Sequence, residues 1–170
     1  DRLSRGLGDV YKRQAIESGA DLTAASSPLQ LSLKERDDTV EWLDGDVYLT
    51  RRTRLFVLLR VNDFLSDTGQ IYTGPNPTVE HVLPRNPAKG SPWLADFSDD
   101  DREEWTHRLA NLVLLTQRKN SSAGRKPFGT KKTTYFNKGK VSDFPLTVEV
   151  LAASKWTPKV LKKRQKRLLK

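Results

Sequence analysis

The sequence predicts an α+β domain in which two short buried strands are flanked by helices. Two apolar runs have the length of buried strands, Thr78–Leu83 and Leu112–Leu115. Helix-start signals lie on either side of them, in Ser32–Glu35 and in Thr157–Pro158. The 170 residues, of which 36% are apolar and 30% charged, are enough to bury a core.

The chain before the first strand is predicted to be helical after an unstructured start. Asp1–Gln14 has no clear period and two glycines, and Ala15–Pro28 is small and polar, so we expect residues 1–27 to be a disordered or foreign extension. Residues 28–68 are predicted to form a helical scaffold segment, whose first helix begins at the Ser32–Glu35 capping box and ends near Gly45. A second helix fits Thr53–Leu65, because its leucines recur near one face.

Residues 69–140 are predicted to form the core of the domain. The first strand, Thr78–Leu83, is followed by Pro84, which has no amide hydrogen and therefore ends the pairing. A long segment, Arg85–His107, separates it from the second strand at Leu112–Leu115. Large aromatic side chains can anchor this segment. They are Trp93, Phe97 and Trp105.

The chain after the second strand is predicted to be mostly helical. Asn120–Lys126 is polar, and we expect it to be flexible. Pro127–Asn137 fits a helix with proline at its first position. Residues 141–170 form a basic helical segment in this prediction. Within it, Val148–Ala153 fits either a strand or a short helix, of which we favour the helix, and Thr157–Leu169 fits a basic helix with a threonine cap.

The charge of the chain is unevenly distributed. From Gln117 onward there are 16 basic and 2 acidic residues, within a net charge of +9. This asymmetry indicates a half that binds a polyanion, and the alternative is a solvated basic tail. No apolar run approaches the roughly 18 residues of a membrane span, and no signal peptide is visible, so we expect a cytoplasmic protein without a membrane partner. The absence of methionine leads us to expect a piece of a longer protein.

Four polar residues beside the two strands have the chemistry of a catalytic site. Glu80 and His81 lie near the end of the first strand, while Asn111 and Asn120 flank the second. A histidine can take a proton near neutral pH, and a carboxylate with an amide oxygen can hold a hard divalent cation. Neighbouring residues of a strand point to opposite faces, so a strand end or a bulge must turn Glu80 or His81 if both reach one site.

These residues belong to an ordered set of motifs. The set comprises E-H-V-L-P at Glu80–Pro84, Trp93 and Trp105, N-L-V-L-L-T-Q-R-K-N at Asn111–Asn120, Pro127–Phe128, Lys131–Lys132 and Tyr135. It resembles the HNH (ββα-metal) nucleases, and most closely the C-terminal nuclease domain of GmrSD-type, modification-dependent restriction endonucleases. The resemblance extends from about Arg54 to the C-terminus, and it implies a ββα-metal core within residues 69–140.

The resemblance also implies a function and a cofactor. It implies a metal-dependent DNA endonuclease or nickase, acting as the nuclease module of a larger anti-phage restriction protein with an N-terminal nucleotide-hydrolysing sensor domain. One Mg²⁺ or Mn²⁺ ion would be held by Glu80 and Asn120, and Asn111 would orient His81 or its loop. We assign His81 as the general base, since a neutral imidazole can take the proton of the attacking water. Without cysteines, no structural zinc is expected.

Each of these assignments has a structural alternative. His81 can be an ordinary histidine of a strand, Asn111 can cap a turn, and Asn120 can be a plain loop residue. His107 can tune the site, although we favour a structural or solvent-facing role. At the level of the whole domain, the alternatives are a non-catalytic nucleic-acid-binding module, or an HNH nuclease that acts on RNA or on structured DNA.

Basic residues surround the predicted metal ligand Asn120. They are Arg118, Lys119, Arg125, Lys126, Lys131 and Lys132. Such side chains can pair with phosphates without reading bases, so they predict affinity for DNA and not a choice of sequence. Of the six, Lys132 is our preferred contact to a phosphate near the chemistry.

Overall fold

The computed structural model describes residues 2–66, 72–74, 77–136 and 144–170. The chain divides into two compact units, Asp1–Glu41 and Trp42–Lys170. Across the described ranges, no helix combines the length and the apolar character that a membrane span requires.

The N-terminal unit contains a helix in the segment that we expected to be disordered or foreign. Helix α1 spans Arg2–Glu17, within the predicted extension of residues 1–27. Glycine lowers helix stability by about 1 kcal/mol but does not exclude a helix, so the glycines of this segment were a weak argument. Helix α2 spans Leu33–Asp44 and has the predicted capping box. The Glu35 amide donates to Ser32 Oγ at 3.2 Å, and the Ser32 amide donates to Glu35 Oε2 at 2.8 Å.

The second unit has the predicted α+β composition. Its labelled elements are α3 (Arg54–Phe64), β1 (Pro77–His81), α4 (Trp93–Asp96), α5 (Asp99–Trp105), β2 (Leu112–Thr116), α6 (Gln117–Ala123), α7 (Phe128–Thr130), α8 (Pro145–Leu151) and α9 (Pro158–Leu168). Short 3₁₀ turns cover Val47–Leu49 and Leu109–Asn111, and Lys131–Phe136 forms a π-helix. The predicted helix over Thr53–Leu65 is confirmed by α3.

The two strands form an antiparallel pair that leads directly into a helix. Glu80 pairs with Val113, and His81 pairs with Leu112. The first strand ends at His81, two residues earlier than predicted, and the backbone bond from Val82 to the carbonyl of residue 111 extends the pairing by one step. Helix α6 follows β2 without a loop, while α4 and α5 lie between the two strands in the chain.

Buried side chains cover both faces of the strand pair, which explains why the second strand is continuously apolar. Leu112 and Leu114 belong to one buried cluster, while Val113 and Leu115 belong to another. The hydroxyl of Thr147, on α8, donates to the carbonyl of residue 114 at 2.6 Å and so satisfies the outer edge of β2. The sheet is therefore a central layer with a hydrophobic core on each side.

The structure tests three predictions for the chain after the second strand. Asn120–Lys126 was expected to be flexible, but α6 includes Asn120, because no glycine or proline interrupts the chain between β2 and Ala123. Pro127 is the cap residue before α7 and not its first residue, and the helix continues as the π-helix. The preference for a helix over Val148–Ala153 is confirmed by α8.

The long segment between the strands is anchored as predicted. It contains α4 and α5, and Ser98 and Asp101 form a second capping box at the start of α5. Trp93, Phe97 and Trp105 are buried in the core cluster that covers the Val113 face of the sheet.

The last helix is part of the core and not a solvated tail. Its cap is as predicted, because the Thr157 side chain accepts a hydrogen bond from the Val160 amide. Gln165 Oε1 accepts from the Ala110 amide at 2.7 Å, and Arg164 donates to the Ala110 carbonyl at 2.5 Å. Helix α9 therefore holds the 3₁₀ turn from which β2 begins, while its other face is basic. The exposed basic residues of that face are Lys159, Lys162, Lys163, Lys166 and Arg167.

We predict that Gln165→Ala lowers the free energy of unfolding by about 2 kcal/mol or more. The substitution leaves the buried Ala110 amide without an acceptor, which costs about 1–3 kcal/mol. It also removes the bonds from Gln165 Nε2 to the Leu43 carbonyl and to Asp44. Urea unfolding measures the change, with the exposed neighbour Lys166→Ala as a control expected to stay within about 0.5 kcal/mol. Equal effects of the two substitutions would contradict this role of α9.

Candidate active site

A cleft of about 420 Å³ lies beside the C-terminal end of β1. Its walls include Tyr48, Glu80, His81, Pro84–Asn86 and Gly124–Arg125. Glu80 and His81 point to opposite faces of the sheet, but His81 is the last residue of the strand, and both residues line this cleft. Adjacent residues of a strand can reach one site only at a strand end or a bulge, and here the strand end serves, because the pairing contains no bulge.

Glu80 is held by a buried lysine. Lys131 Nζ lies 2.6 Å from Glu80 Oε1 and also donates to the His81 carbonyl at 2.6 Å. The Lys131 side chain, from the π-helix, is 0% exposed. Burial raises the pKa of the Glu80 carboxyl, against the pull of Lys131, and burial lowers the pKa of the Lys131 ammonium, against the pull of Glu80. A carboxylate at this depth requires such a partner.

His81 lies on the other face of the sheet among aromatic rings. Its ring meets the Tyr48 ring edge-on, with 4.1 Å between the centroids, and the His107 ring at 5.5 Å. His107 in turn stacks on Tyr48 at 5.4 Å. The Nε2 atom of His81 is buried without a hydrogen-bond partner, as is Nδ1 of His107. A buried imidazole nitrogen without a partner is rare in proteins, and this one marks His81 as a candidate functional residue.

The environment keeps the His81 imidazole neutral. Burial is the largest cause that lowers its pKa to about 3, and the charges of His107 and Arg85 add to the shift. Lys131 and Arg54 contribute in the same direction. At pH 7 the ring therefore holds the lone pair that a proton acceptor needs.

Asn111 lies outside the cleft and connects three segments of the chain behind it. Its side chain is fully buried, and Oδ1 accepts from the Leu83 amide at 2.7 Å and from Trp156 Nε1 at 3.2 Å. Nδ2 donates to the carbonyls of Leu83 at 2.9 Å and Thr106 at 3.0 Å. Leu83 and Trp156 are distant from Asn111 in sequence, unlike the partners of a residue that only caps a turn. The carboxamide therefore holds the backbone two residues after His81.

The predicted ligand Asn120 is placed only by its backbone. It lies in α6, which packs against both strands, and the side chains of Asn120 and Arg118 lie outside the described residues. Gly124 follows α6 with a φ of +40°, a conformation that favours glycine, and this turn brings Arg125 to the rim of the cleft. Trp93 Nε1 donates to the Lys126 carbonyl at 3.1 Å and holds the same turn.

The predicted phosphate-binding residues occupy different environments. Arg125 and Lys126 are exposed, and Lys119 is half-buried. Lys132 donates to the Ala153 carbonyl at 2.7 Å. Lys131, for which we predicted a contact to phosphate, has a fully buried ammonium that is bonded to Glu80.

Three residues of the site were not predicted from the sequence. Arg54 lies over the Tyr48 ring, with its guanidinium carbon 4.3 Å from the centroid, and Arg85 approaches the same ring at 5.7 Å. Arg85 directly follows the E-H-V-L-P motif, and its position could have indicated a role. Tyr48 and Arg54 lie far upstream of the motifs, and only the packing of α3 and the preceding turn against the sheet places them here.

The residues of the cleft fit a divalent ion bound through few protein atoms. No group of three histidine, cysteine or carboxylate side chains converges within the described ranges of the chain. Mg²⁺, however, keeps several waters and needs only one or two protein oxygens. The carboxylate of Glu80, a residue that lines the cleft, is a hard oxygen donor and meets that requirement. Lys131 already bonds Oε1, so an ion would take the other oxygen of Glu80.

The sequence matches a known protein family over most of its length. The family profile described as GmrSD restriction endonucleases, C-terminal domain, matches residues 34–170. The match includes every residue that lines the cleft and leaves α1 outside. No curated protein matches the chain.

We predict that His81 makes the fold less stable in acid. Its pKa is about 3 in the folded protein and about 6.5 in an unfolded chain, so below pH 6.5 the unfolded state binds a proton that the folded state excludes. The free energy of unfolding that the neutral His81 contributes above pH 6.5 is therefore lost as the pH falls toward 3, at up to about 1.4 kcal/mol per pH unit. Urea unfolding between pH 7 and about pH 4 should show a shallower pH dependence in His81→Gln than in the wild type. Equal slopes would show that His81 is not buried in its neutral form.

Proposed function

Because the chain belongs to the family of GmrSD restriction endonuclease C-terminal domains, we propose that its cleft is the active site of a metal-dependent DNA endonuclease or nickase of the HNH type. The observation that carries this proposal is the buried, unpaired Nε2 of His81, a residue that lines one cleft together with Glu80, Arg85 and Arg125. Hydrolysis of a phosphodiester requires a proton acceptor for water and positive charge around the phosphate, and this cleft contains both.

In the proposed reaction His81 is the general base. Its Nε2 takes a proton from a water molecule, whose oxygen forms a bond to phosphorus while the bond from phosphorus to the 3′ oxygen breaks. Solvent then protonates the leaving oxygen. Arg85 and Arg125, which line the same cleft, are placed to pair with the phosphate.

Binding of DNA should make His81 a stronger base. Positive charges at Arg85, Lys131 and Arg54 are among the causes that lower its pKa in the free protein. A phosphate placed among these cations offsets their charge, so the tendency of the imidazole to accept a proton rises when substrate is present. The free cleft is correspondingly unreactive.

Mg²⁺ or Mn²⁺ would be held by Glu80 and Asn120, and when bound it would polarise the scissile phosphate. Support for this assignment comes from the carboxylate in the cleft and from α6, which places the backbone of Asn120 beside the strands. Asn111 is proposed as a positioning residue, because its carboxamide fixes the Leu83 backbone just after His81.

We also propose that this domain acts within a larger restriction protein in the cytoplasm. The family description, which names the matched region as a C-terminal domain, supports a preceding domain in the same protein. By the resemblance of the motifs, that domain would be a nucleotide-hydrolysing sensor, and the protein would act in defence against phage.

We predict that His81→Ala lowers the rate of cleavage of supercoiled plasmid by about 10²-fold or more in the presence of Mg²⁺ or Mn²⁺. General base catalysis typically contributes about 10²–10⁴-fold. Affinity for DNA should stay nearly unchanged, because the base acts on water and not on phosphate charge. His107→Gln is the matched control and should retain cleavage, since His107 is not among the residues that line the cleft. Cleavage by His81→Ala at the wild-type rate would refute the mechanism.

We predict that Arg85→Gln and Arg125→Gln each weaken DNA binding and flatten its dependence on salt. Removing one cation that pairs with a phosphate lowers the slope of log affinity against log salt by about 0.9 for duplex DNA. Fluorescence anisotropy with a labelled duplex at several salt concentrations measures this slope. Lys89→Gln, an exposed cation outside the cleft walls, is the control. If the control changes the slope as much as the two arginine variants, the cleft is not where DNA binds.

A further inference from the structure

We propose that Lys131 competes with the divalent ion for Glu80 and thereby keeps the metal affinity of the free protein low. This inference rests on the proposed function, because it takes Glu80 as a ligand of the ion. It assigns to Lys131 a role in regulating the site, where the sequence indicated only a contact to DNA.

The geometry of Lys131 is that of a fixed cation inside the site. Its ammonium lies 2.6 Å from Glu80 Oε1 and 2.6 Å from the His81 carbonyl, so it bonds to two of the residues that line the cleft. The side chain is 0% exposed and rises from a π-helix whose last residue, Phe136, is also buried. A lysine packed in this way can leave Glu80 only if the buried residues around it move.

Two cations on one carboxylate repel each other. Their repulsion is large in a buried site, because little water lies between the charges to screen it. An ion that binds Glu80 must therefore either displace the Lys131 ammonium from Oε1 or lie close to it at the other oxygen. Both routes weaken binding of the ion relative to a site with the carboxylate alone.

A DNA phosphate in the cleft would offset this repulsion. The phosphate adds negative charge beside Lys131 and the ion, so the ion is bound more tightly together with DNA than without it. The consequence is that the site becomes complete only on substrate. The simpler alternative is that Lys131 only neutralises a buried carboxylate, and the affinity of Lys131 variants for Mn²⁺ distinguishes the two.

The experiment measures Mn²⁺ binding to the DNA-free chain by calorimetric titration. Lys131→Met removes the charge and keeps most of the length of the side chain, and we expect it to bind Mn²⁺ at least about tenfold more tightly than the wild type. Lys131→Arg retains the charge and should bind as weakly as the wild type. The matched control is Lys132→Met, because among the residues that the structure describes the Lys132 ammonium bonds to the Ala153 carbonyl and to no carboxylate.

A second readout tests the same point without a binding curve. Mn²⁺ should raise the melting temperature of Lys131→Met by more than it raises that of the wild type, since a ligand stabilises the state that binds it. If Lys131→Met does not fold, Lys131→Gln takes its place. Its neutral amide can still donate to the carboxylate of Glu80 or the carbonyl of His81, and the same tighter binding is expected.

The outcomes separate this inference from the proposed function. Glu80→Gln should lose Mn²⁺ binding if Glu80 is a ligand. If Glu80→Gln loses binding but the neutral Lys131 variants bind no more tightly than the wild type, Lys131 does not compete and the inference is overturned while the metal site stands. If Glu80→Gln binds Mn²⁺ as the wild type does, the proposed metal site itself is wrong.

Discussion

The carboxamide of Asn111 is the interaction on which the site depends. It makes four hydrogen bonds in a fully buried position and so joins the chain after β1, the turn before β2 and the segment before α9. Two of the four bonds hold the amide and the carbonyl of Leu83, which fixes the backbone where it leaves His81. Helix α9 supports the same turn from outside through Arg164 and Gln165. The polar ends of two strands are thus fixed by partners that only the tertiary fold brings together.

The strand pair places Glu80 and His81 on opposite faces of the sheet, and both residues line one cleft at the end of β1. Glu80 lies on the face that packs on Lys131, and His81 lies on the face that packs on Tyr48. Each group therefore has its own environment, one with a fixed cation and one with aromatic rings. Only at the end of the strand do both reach the same cleft. In this arrangement the His81 imidazole can stay neutral, as a general base requires, while the adjacent Glu80 carboxylate can stay ionised, as a metal ligand requires.

Local patterns predicted much of the fold and part of the site. The strands, the capping box at Ser32–Glu35 and the threonine cap of α9 were predicted because short-range hydrogen bonds and apolar periodicity determine them. Helix α6 was missed, since Asn120–Lys126 carries no strong helix signal. The burial of Lys131 and the place of Tyr48 could not be predicted, because both depend on contacts between residues distant in sequence.

The claim that this cleft holds the scissile phosphate can be tested most directly by a crystal structure of the His81→Ala variant bound to a DNA duplex in the presence of Mn²⁺. We expect a backbone phosphate in the cleft between Arg85 and Arg125, with manganese density at Glu80. Duplex bound along the exposed basic face of α9, with no phosphate in the cleft, would contradict the claim.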